Sequence, residues 1–326
     1  MAMTCKPLDI SVLLIVYKRP DATRQVFNAL RDAKPARLYV AADGPSEDKA
    51  GEREKCQAVR QIIEGIDWEC KVKTLYHEGN LGCKRAVSSA LNWFFENEEE
   101  GIILEDDCLP HPTFFRYCQE LLSRYRDDAR VMQISGTNFF SRQQKCVHSY
   151  YFSKFGSIWG WASWRRAWQH NDVDMTLWPE IRRNNVYPDF CDSKREGSFR
   201  LSVYDKVYSG DMDTWDYQWG FSKMLNSGLN IMPNVNLISN IGFGSDGTHL
   251  TSASLPAANM KTFAMEFPLR HPAYVCRNKI ADKKQFREFI YTPSWANKLS
   301  SVLHRLLPDP VHSRIKAVAR KIIRYF

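Results

Sequence analysis

Two spacings of apolar residues alternate along the first 135 positions. Unbroken, β-branched runs such as ISVLLIV (10–16) predict strands buried on both faces. RLYVAA (37–42), CKVKTLY (70–76), GIILE (101–105) and RVMQIS (130–135) continue that series. Between them the apolar residues recur at helical intervals. PDATRQVFNALRDA (20–33) opens with Pro20 and Asp21, both suited to a helix start. A charged helical stretch runs from Glu47 to about Glu64. After Asn80-Leu81-Gly82, the residues Ala86, Val87, Ala90, Leu91, Phe94 and Phe95 make an apolar stripe. PTFFRYCQELLSRYR (112–126) predicts a fourth helix. Strands alternating with helices imply an α/β fold, a Rossmann-like, mostly parallel twisted sheet flanked by helices.

The second half reads differently. FGSIWGWASWRRAW (155–168) carries Trp159, Trp161, Trp164 and Trp168. Trp164 and Trp168 are spaced as neighbours on one helix and fit a core. Gly156, Gly160 and Trp161 fit a loop whose indole could stack on a sugar. TWDYQWGFSKMLNSG (214–228) predicts a helix with a glycine stop, and 230–249 predicts short strands and a loop. From about Ser252 the chain turns polar and proline-spotted. After Pro308 and Pro310, one helical face collects Val311, Ile315, Val318, Ile322 and Phe326, and the other Arg314, Arg320, Lys321 and Arg324.

Composition narrows the classes. The 326 residues are 44% hydrophobic and 25% charged, an ordinary globular mixture that excludes disordered and collagen-like chains. No apolar run approaches the roughly 20 residues that span a bilayer, and the N-terminus does not read as a signal peptide. Nine cysteines, an odd count without a CxxC pair, suggest free thiols in a reducing cytoplasm. The net charge is +8, but residues 298–326 hold seven Lys/Arg against one acid, so the body is nearly neutral. That distribution argues against nucleic-acid binding by the body. It suits a tail (309–326) that meets an anionic membrane surface or docks on the body.

Ligands of such sheets bind at the carboxyl ends of the strands. There the chain reads Tyr17-Lys18-Arg19-Pro20, Asp43-Gly44-Pro45, His77-Glu78-Gly79-Asn80 and Glu105-Asp106-Asp107. Three adjacent carboxylates repel one another, and a cation would relieve them. Mg²⁺ and Mn²⁺ prefer oxygen ligands and leave room for phosphate and water. The bland alternative is an acidic turn before the helix. Arg19 and Asp43 could meet a uracil, the carboxylate on the imide proton and the guanidinium on carbonyl or phosphate oxygen. They could equally be a surface arginine and a turn aspartate. Asn80, Lys84 and Arg85 surround a helix N-terminus that suits phosphate or ribose. Asp216, with Asp213 as fallback, is either a helix cap or a general base toward an acceptor hydroxyl. His249, in a glycine-containing loop, could ligate a metal or reach a diphosphate.

These motifs carry a resemblance. IILEDDCLPHPTFFRY (102–117), SIWGWASW (157–164), TWDYQW (214–219) and LISNIGFGSDGTH (237–249) resemble nucleotide-diphospho-sugar transferases of the GT-A fold. The nearer likeness is to a bacterial hemolytic-protein-like group, and the motif order is similar to that of the Golgi N-acetylglucosaminyltransferase I family. The resemblance implies a GT-A domain at 1–251, with a nucleotide-binding half (1–135) and an acceptor half (136–251). A wrapping extension (252–297) and a basic amphipathic helix (298–326) follow. It implies that Asp107 holds the metal, Mn²⁺ or Mg²⁺, that Asp106 lies near the ribose, and that Glu105 meets the transferred sugar. It further implies that Arg19 and Asp43 recognise the base, that Asp216 falls near the catalytic base, and that His249 closes over the donor. Two positions depart from the pattern: Asp216-Tyr217-Gln218 stands where relatives read two acids between tryptophans, and Val87 replaces an expected arginine.

The resulting expectation is a metal-dependent inverting glycosyltransferase moving sugar from a UDP-sugar to a cell-surface glycan or lipid-linked acceptor. It would sit in the cytoplasm, with peripheral contact at the inner membrane face. The rivals are a non-catalytic membrane-active or sugar-binding protein and a sugar-1-phosphate nucleotidyltransferase. The latter needs an early glycine-rich loop, and residues 10–24 hold no glycine.

Overall fold

The computed structural model describes residues 8–141, 147–243 and 258–291. The chain divides into two compact units, 1–282 and 283–326. Of the second, only 283–291 is described, where the rings of Phe286 and Tyr291 stack 5.7 Å apart. His249 and the residues 298–326 expected to form a tail helix lie outside the described residues.

The strands are β1 (Val12–Val16), β2 (Arg37–Ala42), β3 (Lys71–Tyr76), β4 (Glu100–Glu105), β5 (Cys108–Pro110), β6 (Val131–Ser135), β7 (Tyr150–Ser153), β8 (Trp161–Trp164), β9 (Leu229–Pro233) and β10 (Ile238–Asn240). The helices that matter below are α1 (Pro20–Ala33), α2 (Glu52–Glu64), α3 (Gly82–Asn97), α4 (Thr113–Arg124), α5 (Arg165–Trp168), α6 (Trp178–Arg183), α7 (Lys194–Tyr208) and α8 (Asp216–Leu225). Eight strands form one sheet in the order β3-β2-β1-β4-β8-β6-β9-β7, and β5 pairs with β10 alone. The α/β architecture expected from the sequence is therefore present. β3, β2, β1 and β4 are mutually parallel, as are β6 and β9. β8 runs antiparallel to both of its neighbours, β4 and β6.

The continuous apolar runs explain the layers. Val12, Leu14 and Val16 of β1, with Ile102 and Leu104 of β4, pack against Val26, Phe27 and Leu30 of α1 and against α4. Leu13, Ile15 and Ile103 point the other way, onto Ala90, Leu91, Phe94 and Phe95 of α3. Burying one such side chain contributes roughly 1.5–3 kcal/mol, so both faces of the central strands are strongly fixed. β3 differs. It is one of the sheet's two edge strands, exposed from Lys71 to Thr74, and its lysines leave that edge unattractive for pairing.

Three local expectations need correction. The helix expected from Glu47 begins at Glu52, because Gly51 adopts φ +76° after a turn at Ser46–Lys49. Trp164 and Trp168 do not share a helix: Trp164 ends β8, and Trp168 ends α5. Trp161 is no sugar platform either. It lies on β8, fully buried, stacked 5.8 Å from Trp215 and beside Trp168 and Trp219. The flanking glycines suggested a loop, but hydrogen bonding to β4 and β6 draws the segment into the sheet.

Residues 258–282 run back over the body. Asn259 and Phe263 donate backbone hydrogen bonds to Asn240 and Asn236, Met265 donates to the Thr113 hydroxyl, and Asn278 donates to Phe152 of β7. No helix among the described residues is long and apolar enough to cross a membrane.

Candidate functional site

The strand order fixes where to look. From β1 the chain steps through β2 to β3 on one side, then returns to place β4 on the other. This reversal is a topological switch point, and the crevice outside it is the favoured ligand position in open α/β sheets. The end of β1 supplies Tyr17, Lys18 and Arg19. The end of β4 supplies Glu105, Asp106 and Asp107, with Ile15 and Glu105 in register.

The guanidinium of Arg19 binds both aspartates. Nη2 pairs with Asp106 Oδ1, and Nη1 lies 2.7 Å from Asp107 Oδ2. Pro20 begins α1, and the Arg19 carbonyl accepts from the Thr23 N–H and hydroxyl, so its backbone is fixed while its side chain reaches across to β4. Burial works against the charge of Arg19, but the two aspartates outweigh it and raise its pKa. The repulsion that suggested a dication is thus relieved within the chain.

The three acids are not equivalent. Asp106 is buried, accepts from the Tyr17 backbone N–H at 3.3 Å, and has its pKa raised by burial. Asp107 keeps slightly more exposure, 12% for its side chain against 3% for Asp106. Its Oδ1 accepts from the Cys108 thiol at 3.4 Å, and its carbonyl accepts from the Ile241 N–H. Glu105 Oε1 is sequestered from solvent with no hydrogen-bond partner. Burial, then repulsion from Asp107, pushes the Glu105 carboxyl up to about 8, with Asp106 and Asp216 adding to the effect and Arg19 opposing it. At neutral pH Glu105 is therefore mostly a neutral acid, able to donate a hydrogen bond.

A second cluster ties the neighbouring strand ends together. Asp43 is buried and its carboxyl pKa is raised by burial. Its Oδ1 accepts from the Gly44 and Leu81 amides, and its Oδ2 from the Asn80 side chain. Asn80 Nδ2 also reaches the Tyr17 hydroxyl at 2.8 Å. A Cβ on Gly44 would come within 2.5 Å of the Gly79 backbone, so the two loops touch only because residue 44 is glycine. Glu52, at the start of α2, accepts from Tyr17, from Lys18 at 2.6 Å and from the Ser46 amide. Burial alone would raise its pKa, but the Lys18 and Tyr17 hydrogen bonds hold it at about 2. Asp43 and Asn80 thus tie the ends of β2 and β3 together, and Tyr17 and Glu52, which the sequence reading missed, brace them.

The third group comes from the second half of the chain, at and just before the start of α8. The side chain of Asp213 reaches the start of α3, where its oxygens accept from the Cys83 and Lys84 amides at 3.0 and 3.1 Å. Gly82 just before them has φ +77°. A carboxylate of the chain itself therefore occupies the helix N-terminus that suited phosphate. Lys84 and Arg85 pair with Asp174 at 3.2 and 3.0 Å. Asp216 opens α8, follows the buried Trp215, and accepts from the Thr214 hydroxyl. It lies close enough to Glu105 and Cys83 to raise the pKa of both. Arg19 thus joins Asp106 and Asp107 next to Glu105, Asp216 stands within electrostatic reach of Glu105, Asp43 and Asn80 join at the neighbouring strand ends, and Asp213 and Lys84 meet at the start of α3.

Mg²⁺ sites commonly use one or two carboxylates with water and substrate phosphates. Among the described residues no three His, Cys, Asp or Glu side chains converge on one point. Asp107 fits the smaller kind of site: an oxygen ligand, the more accessible of the two aspartates, beside the partnerless Glu105 oxygen. An open cavity of about 780 Å³ lies at the opposite end of the strands, between Ser11, Arg37, Glu98, Glu100, Arg126 and Trp164. Its arginines are engaged by its acids, Arg126 on Glu100 and Arg37 on Glu98. No buried, partnerless carboxyl oxygen like that of Glu105 is found among its described lining residues.

No known family description matches the chain, and no curated protein is similar to it. Solved structures with partial likeness include HddC from Yersinia pseudotuberculosis, at 10% identity and a TM-score of 0.27, covering 44% of this chain and 59% of that one. A UDP-glucose pyrophosphorylase complexed with UDP-glucose shares 11% identity at a TM-score of 0.25, covering 44% and 62%. The 4-diphosphocytidyl-2C-methyl-D-erythritol synthase from Anaerococcus prevotii shares 7% at 0.31, covering 61% and 85%. The chain spans less than two thirds of the first two. Likenesses of this size say nothing about activity.

Proposed function

We propose that this protein is a transferase acting on a nucleotide-diphosphate sugar, and specifically a metal-dependent inverting glycosyltransferase with a UDP-sugar donor. The observation that carries the reading is the two-point grip of Arg19 on Asp106 and Asp107 at the switch point of the sheet, with Asp216 within electrostatic reach of Glu105. A base, a charge-handling group and an acid of raised pKa stand together there, as glycosyl transfer from a diphosphate requires.

The nucleotide lies against the wall built by Asp43, Asn80 and Tyr17. Asp107 is the residue that would hold Mn²⁺ or Mg²⁺, and such an ion would stabilise the leaving diphosphate as a Lewis acid. Asp216 takes the proton from the acceptor hydroxyl as its oxygen bonds to the anomeric carbon. The bond from that carbon to the diphosphate oxygen breaks on the opposite face, which inverts the centre. Neutral Glu105 donates a hydrogen bond to the transferred sugar. Asp213 is the weaker base because the Cys83 and Lys84 amides already take both its oxygens. The acceptor is a hydroxyl of a cell-surface glycan or lipid-linked saccharide, with the tail 309–326 at the membrane.

The test screens UDP-sugars for UDP release in wild type and Asp216→Asn. A positioned base typically contributes 10²–10⁴-fold, so the variant should lose at least about 100-fold in rate while binding UDP normally. An unimpaired Asp216→Asn overturns the assignment. A sugar-1-phosphate nucleotidyltransferase is the second reading, favoured by the two cations, Lys18 and Arg19, at the end of β1. Pyrophosphate release from UTP and a sugar-1-phosphate, without UDP release from any UDP-sugar, would establish it instead.

A further inference from the structure

Arg19 binds the carboxylate that the proposed reaction needs for its metal. Its Nη1 lies 2.7 Å from Asp107 Oδ2 while Nη2 holds Asp106, a two-point grip on adjacent side chains. The same pair is covered from above by Gly242, where any side chain would overlap both the Asp107 carboxylate and the Arg19 guanidinium. Gly242 is fixed there because Ile241 donates to the Asp107 carbonyl and Gly242 donates to Asn240. The Arg19 backbone is anchored by Thr23, so the side chain alone is free to change partners.

We propose that Arg19 is the resident cation of this site and competes with a divalent ion for Asp107, so that metal binds weakly until a nucleotide diphosphate gives the guanidinium another anion to hold. The inference rests on the assignment of Asp107 as the metal-holding residue. Its physical basis is simple. Guanidinium and dication repel each other when both face one carboxylate, and the guanidinium is permanently charged. A diphosphate offers the same two-point geometry that Arg19 finds on the aspartates. Metal and nucleotide then bind with positive coupling, and each must raise the affinity of the other by the same factor.

The experiment titrates Mn²⁺ alone, and Mn²⁺ with saturating UDP, into wild type, Arg19→Gln and Asp107→Asn, reading bound ion by electron paramagnetic resonance. Arg19→Gln should bind Mn²⁺ alone at least tenfold more tightly than wild type, and UDP should improve its Mn²⁺ affinity by a smaller factor than in wild type. Equal or weaker Mn²⁺ binding by Arg19→Gln, with binding lost in Asp107→Asn, overturns the competition but leaves the metal assignment standing. Unchanged Mn²⁺ binding in Asp107→Asn overturns the assignment and the competition together. If Arg19→Gln does not fold, Arg19→Lys carries the test, since one ammonium cannot grip both aspartates as the fork does. It should bind Mn²⁺ alone at least threefold more tightly, and an affinity equal to wild type refutes the idea.

Discussion

Replacing Glu105 by glutamine tests the electrostatics of the whole site. Glutamine keeps the shape of the protonated acid and cannot ionise. In the native protein, burial and the charge of Asp107 raise the carboxyl from 4.5 to about 8. Below pH 4.5 the folded and unfolded chains both carry the proton, and Glu105 imposes no penalty. Between 4.5 and 8 only the folded chain keeps it, so stability falls as pH rises, and the loss is complete above 8. Each pKa unit corresponds to about 1.4 kcal/mol, which gives a ceiling of about 5 kcal/mol. Glu105 Oε1 is sequestered, but the residue as a whole is only half-buried, so the expected loss is roughly 2–5 kcal/mol. Urea unfolding of wild type and Glu105→Gln at pH 5, 7 and 9, followed by tryptophan fluorescence, isolates this contribution. The variant should gain on wild type between pH 5 and 8 and hold that advantage at pH 9. A stability difference that stays constant within about 0.5 kcal/mol across that range would refute the claim that Glu105 is held neutral.

Other outcomes follow from single contacts. Asp213→Ala removes the cap of α3 and should cost about 0.5–2 kcal/mol in urea unfolding, with Asp213→Asn recovering part of it. Gly44→Ala forces a methyl onto the Gly79 backbone. It should destabilise by about 1–3 kcal/mol and weaken UDP binding in calorimetric titration. Lys223 is buried against Gln133 and Asn230, and burial lowers its pKa from 10.5 to about 7, with Asp216 acting the other way. Its stability contribution is complete above pH 10.5 and is lost as pH falls through 7. The stability of Lys223→Met relative to wild type should therefore rise as pH falls over that interval, and a flat difference would contradict it.

Strands at the centre of the sheet were legible because burial on both faces leaves a plain signature in residues such as Val12–Val16. The strand ends were legible too, because the apolar runs stop where Arg19, Asp43 and Asp106 stand. What stayed hidden was non-local. Nothing near Arg19 announces that its partners lie 87 and 88 residues away. A nucleobase role was the natural reading of an arginine after β1, whereas the structure sets that arginine on the acids. Asp213 stood in an acidic loop with no sign that two amides of α3 were its target. Glu52 was one more acid in a charged helix. Trp161 misled because Gly156 and Gly160 suggest a loop. Gly160 does take φ +58°, but the strand begins at the next residue.

The antiparallel insertion of β8 has a consequence for how the protein melts. One strand hydrogen-bonds to β4 on one side and β6 on the other, and its Trp161 lies in a seam with Trp168, Trp215 and Trp219. The early and late portions of residues 1–282 therefore share an interior that neither can keep after the other opens. Heating should remove both together, in one calorimetric transition whose van't Hoff and measured enthalpies agree, and the indole emission of that seam should shift to longer wavelength at the same temperature.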